Sequence, residues 1–292
     1  MDTSQGKDHI LLQEVGPRDG LQNEPQVLSP EVRADLVNRL VAAGLERVQI
    51  GSFVNPRLVP QMAGTDSLWR RVEKRPGVRY SALVLNQRGL DSAIAADIPH
   101  VEIYVSASET HSMKNANVSV ERAVASASEM IERALNNGMG VTAGVMCAFG
   151  CFYEGAVPVE RVSEIVRSFQ EKNPTEIGLA DTTGMGEPEG MSRMIHYLEK
   201  MVPPDRIALH LHDTRGLGLE NLRAGLSAGI RRFDTSVGGL GGCPFIPGAV
   251  GNISTERTVE FLQSLGFETG INLEKMREIR GEVEKLLEIN AS

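Results

Sequence analysis

The sequence predicts an α/β protein built as a TIM (β/α)8 barrel. Three observations carry that expectation: short apolar runs alternate with longer amphipathic segments, the runs number eight, and the residues able to do chemistry gather where runs end. A barrel of about 250 residues fits within the 292 present and leaves a short remainder. Alternation alone does not close a sheet, so a doubly wound open sheet competes until the polar residues are placed.

The elements run as follows. An apolar run at 10–15 reads as the first strand, and a helix over 30–43 starts on Ser29-Pro30-Glu31 and stops at Ala43-Gly44. Strands near 47–51, 79–84 and 100–105 are separated by helices near 64–74 and 87–96. A long amphipathic stretch, 119–137, precedes a fifth strand at 140–146. Helices at 159–172, 188–201 and 216–229 then alternate with strands at 176–180, 207–212 and 233–237. Two further helices, about 254–265 and 272–289, follow the eighth strand. The second is rich in Glu and Lys, with Leu286 and Leu287 on its apolar side, and the pair is expected to cover the barrel's flank. No Pro-rich, Ser-rich or low-complexity linker interrupts the pattern, which predicts a single domain over 1–292.

At 41% hydrophobic and 23% charged residues, the composition is that of a globular protein able to bury a sizeable core. Thirty basic against thirty-eight acidic residues give a net charge of −8, which argues against a broad surface for nucleic acid or anionic membrane. A local site for an anionic ligand is still compatible with that charge. The first residues, Met-Asp-Thr-Ser-Gln-Gly-Lys-Asp, have neither a basic nor an apolar leader region, and no stretch approaches the ~20 apolar residues of a membrane span. The expected location is cytoplasmic. Cys147, Cys151 and Cys243 are too few for a disulfide framework, and the C-x3-C spacing of the first two fits packing near a strand end better than zinc binding.

Four segments hold residues suited to catalysis. Glu14-Val-Gly-Pro-Arg18-Asp19-Gly20 sets a guanidinium beside a carboxylate where the first strand ends, a pair costly to bury without partners; a surface turn around Gly16-Pro17 is the plain alternative. In His210-Leu211-His212-Asp213, residues two apart in a strand share a face, so both imidazoles can converge on a divalent cation or, more simply, pair within the core. Gly238-Gly239-Leu240-Gly241-Gly242-Cys243 suggests a loop that carries a thiol over a site, or only a chain reversal. Asp181 ends the sixth strand. All four lie at the strands' C-terminal ends, where barrel enzymes assemble their sites, and this agreement favours the barrel over the open sheet.

The segments EVGPRDGLQNE, ASE with KN at 107–115, CAFGCFYEG, DTTG, HLHD and GGLGGCP followed by GN resemble the 3-hydroxy-3-methylglutaryl-CoA lyase family from about residue 11 to 275. The resemblance implies Mg²⁺ or Mn²⁺ held by Asp19, His210, His212 and Asn252, with Arg18 facing a thioester oxygen and Cys243 as the loop thiol. Arg18, Asp19, His210, Cys243 and Asp181 are then the expected catalytic residues, with Arg18 and Gln49 against substrate. It further implies an acyl-CoA substrate, acetyl-CoA and a keto acid as products, and a possible homodimer. A condensing synthase would use the same metal and arginine with an added regulatory domain; a non-catalytic acyl-CoA binder would be expected to lose ligands that are all present here.

Two positions depart from the family pattern: Gln49 stands where the second strand carries a glutamate, and Gly144 where the fifth carries a tyrosine. Loss of one charge and one phenol alters the pocket. Citramalyl-CoA, cleaved to pyruvate and acetyl-CoA, is the leading alternative substrate, and a larger 3-substituted acyl-CoA is a further expectation.

Overall fold

Eight parallel strands close on themselves in chain order. The computed structural model of the chain describes residues 9–241 and 251–288. The strands are β1 Leu11–Glu14, β2 Arg47–Phe53, β3 Arg79–Val84, β4 His100–Ser106, β5 Gly140–Met146, β6 Glu176–Ala180, β7 Ile207–His210 and β8 Arg232–Thr235. Closure comes from β8 pairing back on β1, from Leu11↔Arg232 through Glu14↔Thr235, which settles the barrel against the open sheet.

The helices are α1 Pro30–Ala42, α2 Thr65–Arg71, α3 Gln87–Ala95, α4 Glu109–Ala116, α5 Val120–Asn136, α6 Val159–Gln170, α7 Pro188–Leu198, α8 Gly218–Ser227, α9 Thr255–Ser264 and α10 Leu273–Leu286. Side chains of Ser29, Ser119, Ser254 and Asn272 accept a backbone amide at the starts of α1, α5, α9 and α10, satisfying donors the helix cannot use. Helix α4 was not expected. It is short, and its sequence ETHSMKNA has no sustained apolar stripe. Arg39 on α1 forms an ion pair with Glu282 on α10, so the last helix lies against the flank as expected, with Leu287 just beyond it buried; Leu286, however, is exposed. No helix among the described residues is long and apolar enough to cross a membrane.

The strand sequences explain both faces of the sheet. Along β4, Val101, Ile103 and Val105 pack into the layer beneath the helices, while His100, Glu102 and Tyr104 alternate with them and point inward. The barrel interior is consequently polar. At its N-terminal end Arg47 and Arg79 each sit 2.8 Å from the Glu176 carboxylate, with Arg232 at 3.2 Å. Above them Gln13 Nε2 donates to Glu102 (3.0 Å) and Asp234 (3.1 Å), and Ser81 donates to Glu102 (2.6 Å). These ties plug one end of the barrel, and a cavity is left at the other.

Candidate active site

The chain leaves β1 through a single π-helical turn, Gly16–Gly20, in which the amides of Arg18, Asp19 and Gly20 all donate to the Val15 carbonyl at 3.0, 2.7 and 3.3 Å. A turn this wide is uncommon and recurs at functional sites. It folds Arg18 and Asp19 inward over the barrel mouth, with side chains 11% and 17% exposed, so the surface-turn alternative does not hold. Beneath the turn, Glu14 accepts from the amides of Gly16 (2.7 Å) and Val237 (2.9 Å) and from the Thr255 hydroxyl (2.7 Å), tying β1 to the loop after β8.

The ladder of β7 ends at His210, two residues short of the expected strand, and His212 forms an isolated bridge with Asn252 instead. Both rings nevertheless turn the same way. Their Nε2 atoms are 3.1 Å apart, and Asp19 Oδ2 lies 3.9 Å from each. Asn252 Nδ2 donates to the same Asp19 oxygen (2.8 Å) and to the Leu240 carbonyl (2.9 Å). Loops from three distant stretches of sequence thus meet at one point.

Charge at this point is unevenly shared. Burial would push the Asp19 carboxyl up, but Arg18, 2.5 Å away, and then the two histidines outweigh it and hold it down at about 2. Burial would likewise lower His210; its hydrogen bond to Asp234 and the charge of Asp19 win, and its pKa is raised. His212 lies as near Asp19 but has no carboxylate hydrogen bond like that of His210 to Asp234, and burial beside His210 lowers it to about 4. The two imidazoles therefore differ in basicity, His210 being the stronger base.

The group fits a divalent cation on geometry as well as chemistry. Ligand atoms of Asp19, His210 and His212 lie within 4.8 Å of one another. Donors about 2.1 Å from a central ion stand about 3.0 Å apart when adjacent in an octahedron, close to the 3.1 Å between the imidazoles. The 3.9 Å to Asp19 closes with a small side-chain movement. Asn252 Oδ1 is buried with no hydrogen-bond partner among the described residues. Such an orphan costs about 1–3 kcal/mol unless something fills it; with the amide turned over, Oδ1 in place of Nδ2 would face a cation beside Asp19.

Behind His210, Asp234 Oδ2 lies 3.1 Å from Nδ1 and its other oxygen accepts from Gln13. This keeps the proton on Nδ1 and frees Nε2 as a ligand. Replacing Asp234 by Asn is expected to weaken divalent-cation affinity about 10- to 100-fold, read by Mn²⁺ titration; unchanged affinity would remove Asp234 from a positioning role.

The cavity above the cluster is about 310 Å³ and is lined by Arg18, Asp19, His210 and His212 on one side and by Leu83, Tyr104 and Met146 on the other. Other expected site residues stand elsewhere. Gln49 is fully buried and absent from the lining; its Oε1 accepts from Arg18 Nε, so it holds the guanidinium instead of meeting a ligand. Asp181 accepts the Gly186 amide with both oxygens (3.0 and 3.1 Å), which fastens its own loop, and it is neither in the ligand cluster nor in the lining. Cys243 lies outside the described residues. Gly144 opens no extra room, contrary to expectation, because the Tyr104 ring covers it. Asp234, Glu102 and Tyr104 were not anticipated, although an acid or phenol alternating with aliphatic residues in a central strand signals an inward polar group.

A family model described as HMGL-like matches residues 9–283. A hydroxymethylglutaryl-CoA lyase from Pseudomonas mevalonii is 40% identical over 270 residues, 92% of this chain and 90% of that relative. A 3-hydroxy-3-isohexenylglutaryl-CoA/hydroxymethylglutaryl-CoA lyase from Pseudomonas aeruginosa is 39% identical, covering 90% of this chain and 88% of that one. Among solved structures, an HMG-CoA lyase from Acinetobacter baumannii in complex with coenzyme A and 3-methylmalate superposes with a TM-score of 0.92 at 34% identity, over 99% of this chain and 93% of that one.

Proposed function

The chain belongs to the HMGL-like family, and from that membership we propose that it is a carbon-carbon lyase that uses Mg²⁺ or Mn²⁺ to split a 3-hydroxy-3-methylglutaryl-CoA-like thioester into acetyl-CoA and a keto acid. The observation that carries the reading is the meeting of Asp19, His210 and His212 beside Arg18 in one cavity. Asp19, His210, His212 and Asn252 would hold the cation. An all-oxygen and imidazole donor set suits Mg²⁺ or Mn²⁺. Once bound, such an ion makes the substrate's tertiary hydroxyl more acidic.

The chain's own residues then divide the work. His210 commits Nδ1 to Asp234, so its Nε2 cannot both ligate and take a proton. Asp19 has two oxygens, one facing the imidazoles and one beside Arg18, and can do both. When Asp19 removes the hydroxyl proton, the electron pair forms the ketone as the bond between the second and third carbons breaks, leaving the acetyl-CoA enolate. The Arg18 guanidinium meets the enolate oxygen. Protonation of the enolate carbon, assigned to Cys243 or a water it orders, completes acetyl-CoA. The chain acts as one lyase domain in this reading, as a homodimer in the cytoplasm, and the free thiols of Cys147 and Cys151 accord with a reducing compartment.

Citramalyl-CoA is the second substrate reading. Gln49 contributes no charge beside Arg18, whose paired carboxylate is Asp19. A substrate bearing a carboxylate on the carbinol carbon could supply the missing anion, and 3-methylmalate in the related complex is a hydroxy acid of that kind. The test strips metal with EDTA, restores Mg²⁺ or Mn²⁺, and identifies products from a panel of 3-hydroxyacyl-CoA thioesters by mass. Acetoacetate from HMG-CoA supports the first substrate, pyruvate from citramalyl-CoA the second. Acetyl-CoA from none of them, with the ion restored, would end the lyase reading.

A further inference from the structure

In a closed barrel ordered β1 to β8, β4 lies three strands from β1 and three from β7. The wall built by β4 and its neighbours therefore faces the arc that carries the cation ligands. On that wall Tyr104 stands in register with Gly144 on β5, and Gly144 with Gly178 on β6. A Cβ at Gly144 would overlap the Tyr104 ring carbons, and one at Gly178 would overlap its hydroxyl. The ring thus lies across two bare stretches of backbone, from β4 to β6, and forms part of the cavity lining. No hydrogen bond links its hydroxyl to another described residue. Burial, with Asp234 and Glu102 nearby, raises the phenol well above its usual range, so it stays a neutral donor.

We propose that Tyr104 determines the specificity of the site: its ring bars a long substituent on the carbinol carbon, and its hydroxyl binds an oxygen of the substrate's acid arm. This rests on the lyase reading above. With the reacting hydroxyl at the cation ligands, the remaining arms of that carbon must turn toward the opposite wall. A flat ring seated on two glycines cannot retreat, because main chain lies behind it. A methyl group fits in front of it; a six-carbon isohexenyl chain does not.

The test compares kcat/KM for HMG-CoA and for 3-hydroxy-3-isohexenylglutaryl-CoA in the wild type, Tyr104→Phe and Tyr104→Leu. The wild type is expected to prefer HMG-CoA. Tyr104→Phe keeps the ring and loses the donor, so both thioesters should lose about tenfold through KM, with their ratio unchanged. Tyr104→Leu keeps an apolar side chain but shortens its reach, and the ratio should move at least tenfold toward the longer substrate. A ratio within about twofold of wild type in the Leu variant, or unaltered KM in the Phe variant, would overturn the assignment while leaving the lyase intact. Should the wild type cleave neither thioester, the HMG-CoA substrate reading fails separately, and the lyase reading is decided by the wider panel. Dissociation constants for both, measured on Mn²⁺-loaded protein, then decide Tyr104 by the same shift in ratio. Circular dichroism confirms that each variant is folded.

Discussion

Arg18→Gln is expected to bind its divalent cation as the wild type does and to lose kcat by about 10³-fold or more. The guanidinium is held from two sides. Its Nη1 donates to Asp19 Oδ1 at 2.5 Å and its Nε to Gln49 Oε1, so two neighbours hold the fork while the side chain still lines the cavity. It is 11% exposed, and in so dry a site a fixed positive charge stabilises a developing anion far more than it would in water. Glutamine keeps polarity and some length but brings no charge. The removal of one neutral oxyanion donor costs about 10²- to 10³-fold, and loss of a cation from the same place costs more.

Steady-state kinetics joined to Mn²⁺ titration separate this from collapse of the site. Cation affinity within a few-fold of wild type, with kcat nearly abolished, is the expected pair of results. Normal turnover by the variant would mean that the enolate oxygen is met by something else. Parallel loss of affinity and turnover would mean that Arg18 serves mainly to orient Asp19.

Much of this site could be read from the chain because its signals are local. His210 and His212 share a face through the two-residue period of a strand, and Arg18-Asp19 follows an apolar run directly. The eight strands could be counted for a similar reason: buried parallel strands are continuous aliphatic runs bounded by helical stretches. What stayed hidden depends on neighbours far apart in sequence. The π-helical turn that aims Asp19 arises from three amides sharing the Val15 carbonyl, and no composition announces it. Asp234 supports His210 only because β7 and β8 pair in register, His210 opposite Asp234. Gly144 suggested an enlarged pocket because a deletion of side chain is visible in one strand, whereas the ring that fills the space arrives from the next. Gln49 and Asp181 each turn to hold a neighbour, and the direction of a side chain is settled by packing rather than by position in the chain.

Asp19→Asn should have the second large effect, and it acts on two measurable quantities at once. The carboxylate is the anionic member of the ligand cluster, so its neutralisation is expected to weaken Mn²⁺ binding by about 100-fold or more, seen as free Mn²⁺ by electron paramagnetic resonance, and to abolish turnover at ordinary ion concentrations. Without any cation the same variant tests the electrostatics. Asp19 is held at about 2 from an ordinary 3.8, a depressed folded-state pKa. It therefore contributes stability that is complete above the unfolded value and is lost as pH falls through 3.8 toward 2. The amount is about 2 kcal/mol, small beside the loss of catalysis but large enough to follow by denaturation. The metal-free variant should be less stable than the metal-free wild type at pH 7, and the gap should narrow as pH falls through that window. A gap that held constant between pH 5 and pH 2 would show that Asp19 is not the carboxylate Arg18 and the histidines hold ionised, and the cation site built around it would lose its anion.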